Sequence, residues 1–219
     1  MSEQAARTAI IETALTMSRR GLSPGRSGNV SCRFNDGMLI TPTGMAYDKI
    51  APSDIVFVDG NGSVRAGQRK PSSEWRFHLA AYQARPDRHA VVHTHSLHAT
   101  VLACAKMPIP AFHYMVAGAG GKDIRVVPYA TFGTEELAQH VASGLKDRDA
   151  CLMASHGQIA IGKTLSAALE LAFEVETLAE QYYKLLLLGA SKVFPDILSD
   201  AAMAEMVARF KTYGQKGQG

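Results

Sequence analysis

The run V-V-H-T-H, ending in His93 and His95, carries the sharpest chemical signal in the chain. In an extended segment, side chains two residues apart point to one face, so both imidazoles can reach a single ion. A catalytic zinc site takes three protein ligands and keeps one position open, and imidazole nitrogen is a preferred donor. The third donor has to come from elsewhere. His156, in S-H-G, follows the apolar run Cys151 to Ala154, and the adjacent glycine gives a ligand room to approach. His98 competes for the role, but it lies three residues past His95, where a helix is expected, so its ring should leave in another direction. With eight histidines present, chance also accounts for an isolated H-x-H.

A second signal is K-P-S-S-E-W, at the start of a helix expected over 73–84. Ser72 and Ser73 fall where free backbone N–H groups and the positive end of the helix dipole meet, a setting that suits a phosphate. Glu74 then belongs to the first turn, beside that anion site. The same residues also read as a plain helix cap with an acidic first turn. Two small-residue loops, S-G-N at 27–29 and T-P-T-G at 41–44, offer N–H and hydroxyl donors that can cradle an anion. Their composition is equally that of ordinary turns.

The elements that must position these residues follow from periodicity. Ala6, Ile10, Ala14 and Met17 share a helical face over about 4–20, and Gly21 with Pro24 stops it. Short strands are expected at Val30 to Phe34, Met38 to Ile40 and Ile55 to Val58, the last running into the D-G-N-G turn. The 73–84 helix ends before Pro86, because the residue preceding a proline is pushed out of the α region. Ala90 to Val92 reads as a buried strand with His93 at its end. A helix through Cys104, a loop over Pro108 to Gly121 and a strand at Ile124 to Val127 come next. Thr134 can cap a helix to about Leu145. Cys151 to Ala154 and Ile159 to Ile161 pair around the loop that carries His156. The longest helix starts after Thr164 and stops at Gly189, with Phe173, Leu178 and Tyr182 on its core face. Trp75 reads as core, and a last helix covers about Asp200 to Lys211. This order lacks strict βαβ alternation, which favours a largely antiparallel sheet covered by helices.

At 219 residues and 47% hydrophobic, the chain can bury one sizeable core and is short for two domains, so residues 1–219 are expected to form one. The net charge is +3, from 23 basic and 20 acidic residues without a run of like charge, and this argues against nucleic-acid binding. No membrane partner is expected either, since no stretch approaches the roughly 18 apolar residues of a membrane span. Three scattered cysteines without C-x-x-C, and an N-terminus lacking the apolar core of a signal peptide, place the chain in the cytoplasm with reduced thiols.

In order along the chain, G-N-V-S, T-P-T-G, P-S-S-E, H-T-H and H-G form the pattern of the class II aldolase and adducin-head family, which this sequence resembles. The likeness extends to S-S-E-W-R-F-H, P-Y-A-T-F-G-T and F-K-T-Y-G, and so covers nearly the whole chain. It implies a three-layer αβα domain with a central, mainly antiparallel sheet, assembled as a homotetramer with active sites between neighbouring subunits. It implies a zinc-dependent cleavage of a ketose 1-phosphate into dihydroxyacetone phosphate and an aldehyde, with Mn²⁺ or Co²⁺ as alternative metals. L-fuculose 1-phosphate, 5-deoxyribulose 1-phosphate and 5-methylthioribulose 1-phosphate all suit that chemistry. Residue by residue, His93, His95 and His156 match the metal ligands. Glu74 matches a catalytic acid/base that also ligates the resting metal. Gly28, Asn29, Thr43, Gly44, Ser72 and Ser73 match the phosphate-binding positions. Tyr114 matches a tyrosine acting in a neighbour's site, and Tyr213 one in the C-terminal tail. Arg26 and Ser155 depart from the pattern, the first beside a phosphate loop and the second beside a ligand. An L-ribulose 5-phosphate 4-epimerase-like enzyme and a non-catalytic adducin-type head are the alternatives within the family.

Overall fold

The computed structural model describes residues 2–189 and 195–211. Seven strands form one sheet: β1 (Asn29–Phe34), β2 (Gly37–Ile40), β3 (Val56–Asp59), β4 (Ala90–Thr94), β5 (Val126–Val127), β6 (Ala150–Met153) and β7 (Gly157–Gly162). Their order across the sheet is β3-β2-β1-β4-β7-β6-β5. Every neighbouring pair is antiparallel except β5 with β6. The mainly antiparallel sheet is therefore as expected.

Alternation along the strands sorts the core into two layers. Val30, Leu39, Phe57, Val92, Leu152 and Ala160 face one side. There they meet α1 (Glu3–Arg19), α3 (Leu97–Cys104), α5 (Leu165–Leu188) and α6 (Asp200–Phe210) through residues such as Ile10, Met17, Leu102, Val175 and Met203. Met38, Val56, Val91, Cys151 and Ile159 face the other side, under Phe77 and Tyr82 of α2 (Trp75–Ala84) and Leu137 and Val141 of α4 (Glu135–Leu145). Helices, sheet and helices form three layers, each strand burying both faces. Fully burying one side chain such as Phe77 contributes roughly 1.5–3 kcal/mol.

Local chemistry sets the helix starts. Ser2, Thr134, Thr164 and Ser199 each accept a backbone N–H three residues on, each cap typically contributing about 1 kcal/mol. Gly21, at φ +78°, ends the first helix in the left-handed region. Gly189 stops α5 differently, with right-handed backbone.

Two expectations change. The stretch Tyr114–Ala119, read as loop, is a 3-10 helix whose first turn His113 caps through Nδ1 and whose Val116, Ala117 and Ala119 are buried. Y-M-V-A lacks the polar turn formers a loop would use, and its apolar side chains gain more by packing. The helix expected from residue 73 begins at Trp75, with Glu74 at its N-cap rather than in its first turn. The Ser72 N–H is held by the Thr41 carbonyl, and the Ser72 carbonyl accepts from Trp75, so the chain is still turning at Ser73. Trp75 is half-buried, its ring lying against Gly62, where a Cβ would be 2.3 Å away.

Candidate active site

The antiparallel register puts Asn29 opposite His93, and His93 opposite Ile159. Three chain segments thus end at one place: the start of β1, the end of β4 and the β6–β7 turn. Glycines let them close up. A Cβ on Gly28 would lie 2.6 Å from the His93 carbonyl oxygen, and one on Gly157 would lie 2.4 Å from that of Thr94. Gly157 therefore makes room for the backbone of H-T-H rather than for an incoming ligand. Ser155, at φ +56°, turns the chain so that His156 faces the same point.

There the ring nitrogens of His93, His95 and His156 all lie within 4.8 Å of one another, and the ring centroids stand 4.8 to 5.0 Å apart. His93 is wholly buried, and its Nδ1 donates to the Gln158 carbonyl oxygen at 2.7 Å. That bond leaves the lone pair on Nε2, which lies 3.0 Å from His95 Nε2. Burial pulls the His93 pKa well below its usual range, and burial followed by the neighbouring His156 lowers that of His95. A neutral imidazole with its lone pair left on Nε2, as His93 has, is the form a metal cation requires.

Glu74 completes the group. Its Oε1 lies 2.9 Å from His156 Nε2 and its Oε2 lies 3.3 Å from His93 Nε2. Asn29 Nδ2 donates to Oε2 at 2.7 Å. Burial opposes ionisation of this carboxyl, but the hydrogen bonds from the His156 ring and the Asn29 amide outweigh it and hold the pKa below the usual carboxylate range. The donor set, three imidazoles and an ionised carboxylate, is that of a divalent transition metal.

His98 is excluded from the group. It starts α3, and its Nδ1 lies 2.9 Å from Glu176, whose carboxylate also accepts the backbone N–H groups of His98 and Ala99. One acidic side chain from α5 thus caps α3 and turns this ring away.

A cavity of about 350 Å³ opens over Glu74, His95 and His156. Gly28, Asn29, Thr43, Gly44, Ser72 and Ser73 all line it, so the structure brings together every loop position expected for phosphate. Backbone bonds knit those loops. Ser72 N–H donates to the Thr41 carbonyl, Thr43 N–H to that of Lys70, and Pro42 bridges Pro71. Tyr47, whose hydroxyl donates toward the carbonyl oxygens of Ser27 and Gly28 at 2.9 and 2.7 Å, supports the first loop from below. Arg26 reaches the Gly44 carbonyl at 2.9 Å and so ties one loop to the other at the cavity mouth. Ser155, the other departure from the family pattern, faces the same cavity.

Sequence reasoning missed Tyr47, Tyr129 and Phe132. Tyr129 and Phe132 form an aromatic rim, 60% and 62% exposed, on a segment anchored by Gly133, whose carbonyl accepts from Arg76. Two aromatics among turn formers in P-Y-A-T-F-G-T were the available signal. Tyr114 lies elsewhere, 49% exposed with its ring stacked on His113 at 4.7 Å. Tyr213 lies outside the described residues.

The class II aldolase and adducin N-terminal domain model matches residues 8–183. An L-fuculose phosphate aldolase of Escherichia coli O6:H1 is 55% identical over 205 residues, 94% of each chain. A 5-methylthioribulose-1-phosphate/5-deoxyribulose-1-phosphate aldolase of Rhodospirillum rubrum is 52% identical over 217 residues, covering 99% of this chain and 96% of that one. A solved L-fuculose 1-phosphate aldolase superposes with a TM-score of 0.89 at 41% identity, across 96% of this chain and 98% of the other. With its three-layer fold and its histidine group, the chain belongs to the class II aldolase and adducin N-terminal domain family, as one of its carbon–carbon lyases.

Proposed function

We propose that this chain is a zinc-dependent aldolase that cleaves a ketose 1-phosphate into dihydroxyacetone phosphate and an aldehyde in the cytoplasm. The observation that carries this reading is the convergence of Glu74, His95 and His156, with His93 buried behind them, at a cavity walled by hydroxyl- and glycine-rich loops. The aldolase names of relatives 52% and 55% identical favour it over an epimerase or a non-catalytic head.

His93, His95 and His156 would hold the cation, with Glu74 beside them in the resting state. When bound there, the metal supplies Lewis-acid stabilisation of the negative charge that develops next to the ketone as the bond opens. The chain's own residues do the rest. Gly28, Asn29, Thr43, Gly44, Ser72 and Ser73 receive the phosphate, and Arg26 adds positive charge at the mouth. Glu74, ionised and within reach of the group, takes and returns the proton at the carbon that alternates with the carbanion. Tyr114 of an adjacent copy in a homotetramer exchanges the proton of the hydroxyl that becomes the aldehyde, and Tyr213 is the second tyrosine that the family resemblance assigns to catalysis. The exposure of Tyr114, outside the residues lining its own chain's cavity, supports that role in a neighbour's site. The aromatic rim at Tyr129 and Phe132 would frame the aldehyde end.

The test is consumption of NADH through a coupled dihydroxyacetone phosphate reductase, with L-fuculose 1-phosphate, 5-deoxyribulose 1-phosphate and 5-methylthioribulose 1-phosphate compared by kcat/KM. No turnover of any of the three by zinc-loaded protein would refute the reading. The shared-site claim is tested by mixing Tyr114→Phe with His95→Ala subunits. Activity above the sum of the parents is expected if each intact site draws on two chains.

A further inference from the structure

The proposed chemistry leaves one buried imidazole without a task. His78 on α2 is fully buried, one turn past Glu74, and is not one of the three converging histidines. Its Nε2 contacts Asn29 Oδ1, and its Nδ1 lies 2.7 Å from Ser31 Oγ, which lies 2.8 Å from the Tyr82 hydroxyl. With the 2.7 Å bond from Asn29 to Glu74, these groups form a single file: Tyr82, Ser31, His78, Asn29, Glu74. The Asn29 amide fixes the direction of the bonds behind it, since it presents its NH₂ to Glu74 and its oxygen to His78. That oxygen only accepts, so His78 carries its hydrogen on Nε2. Nδ1 then accepts from the Ser31 hydroxyl, whose oxygen accepts from Tyr82. Burial depresses the His78 pKa to about 3, so the ring stays neutral and Nδ1 stays an acceptor.

We infer that His78 is a positioning residue that, by donating from Nε2, locks the Asn29 amide so that its NH₂, and never its oxygen, faces Glu74 and the phosphate cavity. Glu74 holds the NH₂ of this amide and His78 holds its oxygen, so without His78 only the carboxylate opposes a half-turn that would set the Asn29 oxygen against Glu74 and toward an incoming phosphate. One imidazole thereby serves both halves of the site. Its effect on turnover presupposes the aldol chemistry proposed above; the imidazole tautomer does not.

Histidine-labelled wild-type protein, loaded with Zn²⁺, should show His78 as the neutral, Nε2-protonated tautomer by ¹⁵N NMR at neutral pH. His78→Gln places an amide nitrogen where Nε2 stood and retains the donor, whereas His78→Leu abolishes it. The leucine variant should keep a full metal complement, lose roughly 10- to 100-fold in kcat and bind inorganic phosphate, assayed as a competitive inhibitor, more weakly. The glutamine variant should recover most of both. An Nδ1-protonated or cationic ring would overturn the inference even if His78→Leu fails to fold. Equal impairment of the two variants, or wild-type kcat in His78→Leu, would do the same. Inactive wild-type protein with the Nε2 tautomer present would refute the aldolase reading and leave the positioning role standing.

Discussion

The imidazole of His93 is aimed by a backbone group: its Nδ1 donates to the Gln158 carbonyl across the β4–β7 pair, at 2.7 Å. Gln158 is in turn fixed by its side chain, whose Nε2 donates to Ser96 Oγ and the Ala172 carbonyl, each at 2.9 Å. The nitrogen left for an ion is therefore chosen by strand register, before any metal arrives. A backbone partner also raises the basicity of the ligand it holds.

Ligand and proton-transfer roles should separate under mutation. His93→Ala is expected to lose metal and activity together, by more than about 100-fold. Glu74→Gln should keep the metal, since three imidazoles remain, and lose about 10²- to 10⁴-fold in kcat. Metal content by atomic absorption beside kcat decides it, and full turnover in Glu74→Gln would remove that residue from proton transfer.

His98 should prove structural. His98→Ala is expected to retain metal stoichiometry and turnover, because Glu176 still accepts from the backbone of His98 and Ala99. Glu176→Ala, which uncaps α3, should cost about 1–2 kcal/mol in denaturant unfolding. Zinc loss in His98→Ala would reopen its candidacy as a ligand.

Acid stability follows from His78. Burial, partly countered by the charge of Glu74, depresses its pKa to about 3 in the fold, against 6.5 ordinarily. Between those values the unfolded chain binds a proton that the native state refuses, so stability falls as pH drops from about 6.5 toward 3. The full difference is on the order of 5 kcal/mol. Urea unfolding of metal-free protein from about pH 7 down to pH 4 should show His78→Gln with the shallower pH slope, by up to one proton. Equal slopes would mean that His78 takes up its proton inside the fold.

What the sequence disclosed and what it hid divide on physical lines. The strand runs, the Thr134 and Thr164 caps and the H-T-H pair were legible because alternation, capping chemistry and two-residue spacing act within a few residues. The convergence of His156 and Glu74 on His93 depends on register between strands far apart in sequence: His156 could be nominated from its place beside a glycine after an apolar run, but the role of Glu74 came only from the family resemblance. Tyr47 and His78 were invisible because their roles are contacts with distant backbone and side-chain atoms. The start of α2 moved from residue 73 to Trp75 because Ser72 is hydrogen-bonded to Thr41, a long-range partner that propensity cannot see.

The two loop glycines should respond unequally to the same substitution. Gly44 has φ +70° and open space where a Cβ would stand, so Gly44→Ala carries only left-handed backbone strain, about 1–2 kcal/mol. Gly28 has φ +81°, and its Cβ would lie 2.6 Å from both the His93 carbonyl oxygen and Ser23 Oγ. Gly28→Ala therefore adds a backbone clash and should cost about 3 kcal/mol or more. Because the displaced atom belongs to His93, it should also weaken zinc binding, whereas Gly44→Ala should leave zinc affinity unchanged. Thermal unfolding with and without zinc separates the two effects. If both variants lost stability equally and kept wild-type zinc affinity, the close approach of β1 to β4 would not be what sets the position of His93.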